Sequence, residues 1–179
     1  SNFVHEQRWA ELVPHFSIYV EQMAAALQHL HAAGWVHCDV KPGNFLVNRQ
    51  NEVKLIDFAF AQPIGDDVQP PPLPSGTMRY MSPEQEAGKP VDARSDIYSL
   101  GRTLYVLATG QLPFVERQKM TRQQLRETPV TPDAHRVNPR VTREFADLLM
   151  EMMENDPVNR PASIDEVLRR FRGLQPFLG

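Results

Sequence analysis

The segment "SDIYSLGRTLYVLAT", residues 95–109, constrains the fold more than any other part of the chain. A surface helix carries apolar residues along one stripe, whereas this segment is apolar on nearly every face. We therefore predict a buried helix, which Gly110 would end because glycine readily adopts the left-handed backbone. Other parts of the chain must then surround this helix.

Three more segments have helical patterns. Apolar residues recur at helical spacing from Tyr19 to His31, and Gly34 follows where a left-handed cap would sit. Ser163 and Glu166 have the spacing of a capping box, which predicts a last helix that runs through Phe171. Another stripe, with Thr142 as its expected N-cap, consists of Phe145, Leu148, Leu149, Met152 and Met153.

Two short apolar runs predict a β-hairpin. The runs "FLV" (45–47) and "EVKLI" (52–56) are joined by the turn-like "NRQN". A stretch without periodicity follows, from residue 57 to residue 90. Loops of that length in a compact domain are usually functional or disordered. The coarse expectation is a mainly helical domain that carries one small sheet.

Composition excludes several classes of protein. The chain has 179 residues, 41% hydrophobic and 23% charged, which suits one globular domain. Its net charge of -3 gives no global reason to expect nucleic acid as a partner. No apolar run approaches the roughly 20 residues of a membrane helix, and the N-terminus does not resemble a signal peptide. The single cysteine fits a reducing compartment, so we expect an intracellular, cytoplasmic protein without a membrane segment.

Polar side chains gather at one end of the predicted hairpin. Asp39, Lys41 and Asn44 precede it, and Asp57 follows its second strand. An amide and a carboxylate oxygen are hard ligands that suit Mg²⁺ held together with phosphate. Asp39 could accept a proton from a hydroxyl, and Lys41 could meet developing phosphate charge. A thiolate nucleophile at Cys38, paired with His37, is a poor alternative because adjacent residues in an extended segment point to opposite faces.

These residues carry a resemblance to eukaryotic-type serine/threonine protein kinases. "HCDVKPGN" resembles the family's His-Arg-Asp-x-Lys-x-x-Asn catalytic loop, "DFA" its Asp-Phe-Gly, and "SPE" its Ala-Pro-Glu. "SDIYSLG" and "DPVNRPAS" resemble two later motifs, in the family's order. The resemblance implies a mainly α fold over residues 1–179, the helical large (C-terminal) lobe, in which a small β-hairpin carries the catalytic and metal-binding loops. It also implies transfer of the ATP γ-phosphoryl group to protein Ser/Thr hydroxyls, with Mg²⁺.

The resemblance assigns catalytic and ligand-binding roles residue by residue. Asp39 would be the catalytic base, Lys41 would contact the γ-phosphate, and Thr77 would bond both. Asn44 and Asp57 would hold Mg²⁺ and through it ATP. Leu46 matches the residue at the floor of the adenine pocket.

Five further residues would be structural. Glu84 and Arg160 match a buried ion pair that anchors the activation segment. Asp96 matches an aspartate that ties the catalytic-loop backbone to the buried helix. His37 and Phe58 match members of an internal hydrophobic column. Each has a plainer interpretation: Asp96 as a helix-start residue, Glu84 and Arg160 as surface charges, and His37 as a packed structural histidine.

The chain departs from the family in three ways. It contains no Gly-rich phosphate loop, no Val-Ala-Ile-Lys strand and no helix with the partner glutamate, so we expect the small lobe to be absent and the isolated chain to be inactive. Cys38 replaces the arginine that receives the activation-loop phosphate, so activity should not require phosphorylation there, although Ser75 and Thr77 are available. Ala59 replaces a glycine, at a cost of roughly 1–2 kcal/mol if its backbone is left-handed.

Two other functions remain open from the sequence. A pseudokinase, acting as a binding or scaffold module, would explain Ala59, although Asp39, Lys41, Asn44 and Asp57 argue against it. A small-molecule kinase of related fold, such as an aminoglycoside or choline kinase, would use a similar aspartate and a similar metal pair. Lys41 and the segment "GTMRYMSPE" favour a protein acceptor.

Overall fold

The computed structural model describes residues 12–65, 79–113 and 131–178. About half of these residues are helical, and the strands are short and antiparallel. The α-helices of the described residues, in chain order, are α1 (Phe16–Ala32), α2 (Pro83–Glu86), α3 (Ala93–Thr109), α4 (Ala134–Val137), α5 (Arg143–Met152) and α6 (Ile164–Arg172). Short 3₁₀ turns span Val13–His15, Pro42–Asn44 and Pro157–Asn159. The strands are β1 (Trp35–Val36), β2 (Phe45–Val47), β3 (Val53–Leu55) and β4 (Gln62–Pro63).

Helix α3 is buried along almost its whole length, as its all-round apolar pattern predicts. The carboxylate of Asp92 caps its start by accepting from the backbone N–H of Arg94. Gly110 ends it with a φ of 69°, in the left-handed region that glycine adopts without strain. Helices α1, α4, α5 and α6 all contact α3, and together they form one apolar core.

The other predicted helices are present, with their predicted signals. The stripe on α5 lies in the core, and Thr142 caps that helix by accepting from the N–H of Phe145. At α6 the capping box is only half formed. Ser163 accepts from the N–H of Glu166, but the Glu166 carboxylate accepts from Ala162 instead of returning to Ser163.

The hairpin forms between β2 and β3, with Phe45 opposite Leu55. The expectation of one sheet was wrong, because β1 and β4 form a second two-stranded sheet in which Val36 lies opposite Gln62. Strands of two residues are too short to show alternation, so no sequence pattern predicts them. This second sheet fixes the start of the long aperiodic stretch beside the segment that leads into Asp39.

The described end of that aperiodic stretch contains the one-turn helix α2. Ser82 and Gln85 cap it reciprocally: the Ser82 hydroxyl accepts from the Gln85 N–H, and the Gln85 side chain accepts from the Ser82 N–H. Both residues are buried. In the part of the chain that the structure describes, no helix is both long enough and apolar enough to cross a membrane.

Candidate active site

The turn between β1 and β2 presents Asp39 in a buried setting, with only 2% of the residue exposed. Its Oδ2 accepts from the Lys41 ammonium at 2.7 Å and from the Asn44 amide at 3.0 Å. Its other oxygen, Oδ1, is buried and receives no hydrogen bond from the described residues. A buried carboxylate oxygen without a donor is costly, so Oδ1 has unused capacity for a proton or a hydroxyl.

Asn44 orients the same carboxylate and marks the entry to the hairpin. Its side-chain nitrogen also donates to the backbone oxygen of Asp39 at 2.8 Å, which commits the amide nitrogen to the turn. Its backbone oxygen accepts from the N–H of Ile56 at 2.9 Å, at the hairpin exit. Asp57 is the next residue, so the hairpin brings Asp57 beside Asn44, as its geometry predicts.

Asp57 is exposed and has a left-handed backbone, with a φ of 63°. Its carboxylate Oδ1 accepts from the Ala59 N–H over a long distance, 3.4 Å. An exposed carboxylate beside an amide oxygen suits Mg²⁺, which uses one or two protein oxygens together with substrate phosphates. The described residues contain no cluster of three or more His, Cys, Asp or Glu side chains that could hold a metal alone. The donor set therefore fits a metal that arrives with phosphate.

Asp96 holds the backbone just before Asp39. Its Oδ2 accepts from the N–H of His37 at 2.8 Å, and its Oδ1 accepts from the N–H of Cys38 at 2.9 Å. The ring of His31 contacts Oδ2 at 2.8 Å. Asp96 is 0% exposed, so the interpretation as a simple helix-start residue does not fit its surroundings. These bonds hold Cys38 in a left-handed conformation, φ 63°, directly before Asp39.

His37 packs and also joins two segments of the site. Its Nδ1 accepts from the N–H of Asp39 at 3.2 Å, so Nε2 carries the proton that it donates to the Ile56 oxygen at 3.1 Å. Its ring meets the Phe58 ring edge-on, with centroids 5.1 Å apart. The histidine thus connects the turn that carries Asp39 to the strand end that carries Asp57.

Two apolar side chains near the site face solvent. Leu46 on β2 is 55% exposed, and Phe58 is 51% exposed. Isolated exposed apolar residues are ordinary, but Phe58 directly follows Asp57 in the chain and Leu46 lies two residues after Asn44. These two side chains could pack against a bound base or against another part of a protein.

Glu84 and Arg160 form a buried, two-pronged ion pair. Arg160 Nη1 lies 2.7 Å from Glu84 Oε1, and Nη2 lies 2.8 Å from Oε2. The Ser95 hydroxyl donates to the same Oε1, and the guanidinium lies 4.8 Å from the centre of the Tyr98 ring. Burial alone would raise the pKa of Glu84, but the hydrogen bonds from Arg160 and Ser95 and the charge of Arg160 hold it below its usual value. These residues are therefore not solvated surface charges.

Cys38 packs in a small buried apolar cluster with Val36, Val91 and the partly buried Phe60. Burial, followed by the negative charge of Asp96, raises the pKa of its thiol to about 12. The thiol therefore stays protonated near neutral pH, which rules out a thiolate nucleophile.

Sequence reasoning missed two buried glutamines that contact Cys38. Gln85 donates to its backbone oxygen, and Gln62 donates to its sulfur. Gln85 had one available signal, its capping-box spacing from Ser82, whereas nothing in the sequence distinguishes Gln62. Thr77, predicted to bond Asp39 and Lys41, lies outside the described residues, as does Ser75.

The fold and this arrangement of Asp, Lys and Asn resemble those of the protein kinase family. The family model described as "Protein kinase domain" matches residues 7–171, so the chain belongs to the protein kinase family. Its relatives include serine/threonine kinases, which confirms the eukaryotic-type serine/threonine kinase resemblance.

Three curated relatives show the extent of the similarity. A probable serine/threonine-protein kinase of Streptomyces coelicolor is 39% identical over 79% of this chain and 22% of its own length. The serine/threonine-protein kinase PknB of Mycolicibacterium smegmatis is 39% identical over 75% of this chain and 22% of its own length. The serine/threonine-protein kinase pkn3 of Myxococcus xanthus is 37% identical over 82% of this chain and 29% of its own length. The matched region thus spans only about a quarter of these relatives.

Proposed function

We propose that the chain is the large lobe of a serine/threonine protein kinase that transfers the ATP γ-phosphoryl group to protein hydroxyls. The observation that carries the proposal is the pair of unlike oxygens on Asp39. Oδ2 is held by Lys41 and Asn44, whereas Oδ1 receives no hydrogen bond from the described residues. A carboxylate fixed through one oxygen presents the other to an acceptor hydroxyl in a defined direction.

The roles proposed for the side chains combine these contacts with the kinase resemblance. Asp39 Oδ1 would orient the acceptor hydroxyl and take its proton. Lys41, with 28% of its side chain exposed, would place its ammonium beside the γ-phosphate while it steadies Oδ2. Asn44 and Asp57 would hold Mg²⁺, which supplies neutralising charge to the phosphates when bound. Leu46 would cover the adenine, and Thr77 would bond Asp39 and Lys41.

The structural residues would hold the catalytic and metal-binding residues in position. Asp96 fixes the backbone of the turn that carries Asp39, and His37 connects that turn to the strand end before Asp57. Phe58 would continue the apolar column from the His37 ring. Glu84 and Arg160 would anchor the end of the activation segment to the helical core.

We propose further that a small lobe, absent from residues 1–179, completes the enzyme. The exposed Leu46 and Phe58 support this proposal, because more than half of each apolar side chain is exposed and a second lobe could cover them. The chain alone lacks the strand lysine and the glycine loop that position ATP, so we expect it to be inactive in isolation. The working location would be the cytoplasm.

The test is phosphoryl transfer by the full-length protein with Mg²⁺–ATP and a mixture of Ser/Thr-containing protein substrates. Asp39→Asn keeps the shape and removes the base, so kcat should fall by about 10²–10⁴-fold. Asp147→Asn, at an exposed position on α5, is the matched control and should leave kcat unchanged. Binding of Mg²⁺–ATP without any transfer by the unmodified protein would show a pseudokinase, and phosphorylation of small alcohols only would show a small-molecule kinase.

Cys38 predicts how this kinase is controlled. A phosphate on the activation loop finds no guanidinium at this position, so we propose that activity does not depend on loop phosphorylation. Phosphatase-treated protein and a Ser75→Ala variant should keep full activity. Loss of activity in Ser75→Ala, restored by an acidic residue at the same position, would contradict the proposal.

A further inference from the structure

Cys38 is held on three sides at the position where the kinase family has arginine. Its N–H is bonded to Asp96, its carbonyl oxygen accepts from Gln85 Nε2 at 2.9 Å, and its sulfur accepts from Gln62 Nε2 at 3.2 Å. The bond to Asp96 belongs to the site described above. The two glutamine bonds come from other parts of the chain and have no assigned purpose.

Gln85 links Cys38 to the anchored end of the activation segment. It directly follows Glu84, whose carboxylate is fixed by Arg160. The Gln85 side chain is nearly fully buried, at 2% exposed, and its Oε1 also accepts from the Ser82 hydroxyl at 3.0 Å. One amide therefore bridges helix α2 and the residue before Asp39, and each of its polar atoms has a partner.

Gln62 links the same residue to the beginning of the segment. It lies on β4, opposite Val36 on β1, and is 7% exposed. The Cys38 thiol contacts the Val36 oxygen at 3.8 Å, so the sulfur donates to β1 and accepts from β4. Because the pKa of this thiol is raised to about 12, the sulfur keeps the proton that it donates to Val36 across the neutral pH range.

The two glutamines lie at opposite ends of one functional stretch. Gln62 is five residues after Asp57, and Gln85 comes directly after Glu84. In the family this stretch is drawn to the catalytic loop when a loop phosphate pairs with the arginine that Cys38 replaces. Here uncharged hydrogen bonds already join both ends of the stretch to that position.

We propose that Gln62 and Gln85 are positioning residues, which hold both ends of the activation segment to Cys38 and so keep Asp39 in its working geometry without a phosphate. The inference rests on the proposed kinase function. Neutral amides need no added charge, so the connection is permanent, whereas a phosphate–arginine pair forms only after modification.

The test compares isosteric variants of the full-length protein. Gln85→Met and Gln62→Met keep the length of the side chain and remove its polar atoms. Misplacement of a catalytic group by about 1 Å can cost around 100-fold, so we expect kcat to fall by about 10- to 100-fold. The KM for ATP should not change, because Asn44, Asp57 and Leu46 are untouched. Gln175→Met, at an exposed position, is the matched control.

A second-site change separates the two connections. Cys38→Ala removes the sulfur but keeps the backbone oxygen, so Gln62→Met should have no further effect in that background. Gln85→Met should still lower kcat there. An equal effect of Gln62→Met with and without the sulfur would overturn the role of Gln62.

Hydrogen exchange of the catalytic-turn peptide, residues 36–41, tests the inference without reference to activity. It should be faster in both Met variants and unchanged in Gln175→Met. Unchanged exchange and unchanged kcat would overturn the proposal.

If the unmodified protein transfers no phosphate, the proposed function fails and the exchange data alone decide this inference. If Gln85→Met does not fold, Gln85→Glu keeps the Ser82 contact but opposes the Cys38 oxygen, and an unchanged rate in that variant would equally overturn the proposal.

Discussion

Replacement of Arg160 by methionine should destabilise the protein far more than the same change at a surface arginine. The Arg160 side chain is 0% exposed and donates to both oxygens of Glu84 and to three backbone oxygens. In Arg160→Met, Glu84 stays buried and, among the described residues, keeps only the Ser95 hydroxyl as a side-chain partner. Removal of one member of a buried ion pair costs about 3–5 kcal/mol, since it strands the other charge.

The pH dependence of the loss gives this prediction a second, independent signature. In the unmodified protein the pKa of Glu84 is below its unfolded value, so this group stabilises the fold above the unfolded pKa, and that contribution disappears as pH falls through the folded pKa. Without Arg160, burial should raise the pKa of Glu84. The variant then gains stability, relative to the parent, as the pH falls and Glu84 becomes neutral.

The assay is urea unfolding of both proteins at about pH 7 and at about pH 4.5, close to the usual pKa of a glutamate. Arg170→Met is the matched control. Arg170 pairs with Glu151 at 2.6 Å, but both side chains are about one-third exposed, so the loss should stay below about 1 kcal/mol. Equal losses at Arg160 and Arg170, or a gap that widens as the pH falls, would refute the reasoning.

Two further predictions concern how the hairpin and the core are held. Gln22 Oε1 accepts from the Val53 N–H at 2.7 Å, and its Nε2 donates to the Asn51 oxygen at 2.9 Å. Gln22→Leu should therefore lower the free energy of unfolding by about 1–2 kcal/mol and accelerate hydrogen exchange at residues 48–53. A Cβ at Gly101 would lie 2.9 Å from the Met152 Cβ, so Gly101→Ala should destabilise by about 1–3 kcal/mol in urea unfolding, although alanine is the better helix former. A more stable Gly101→Ala protein would show that α3 and α5 can move apart with little loss of stability.

The helices and the hairpin were predictable because their signals are local. The stripe on α5 and the all-round apolar pattern of α3 each repeat over several turns, and caps such as Thr142 and Gly110 act on adjacent residues. The meeting of Asn44 and Asp57 follows from a hairpin whose ends are close by construction. Such features depend on a few neighbouring residues, which the sequence shows directly.

The contacts that hold the site together depend on distant residues, and the sequence does not show them. The bonds of Asp96 to His37 and Cys38 span more than fifty positions, and Gln85 reaches Cys38 across a separation of 47. Family resemblance supplied Asp96 because its motif is distinctive. No motif supplied Gln62 or Gln85, since a buried glutamine looks like an exposed one until the fold places it.

The structure shows that Ala59, which replaces a family glycine, matters less than the sequence suggests. The expected cost depended on a left-handed backbone, but the described non-glycine residues with positive φ are Cys38, Asn51 and Asp57, so Ala59 carries no such strain. In "DFA" the left-handed residue is the aspartate. Ala59→Gly should therefore give no rise in kcat, and the extra freedom of the unfolded chain should lower stability by up to about 1 kcal/mol. A tenfold gain in kcat for Ala59→Gly, with an unchanged KM for ATP, would instead show that the alanine restrains Asp57 and would revive the interpretation as a pseudokinase.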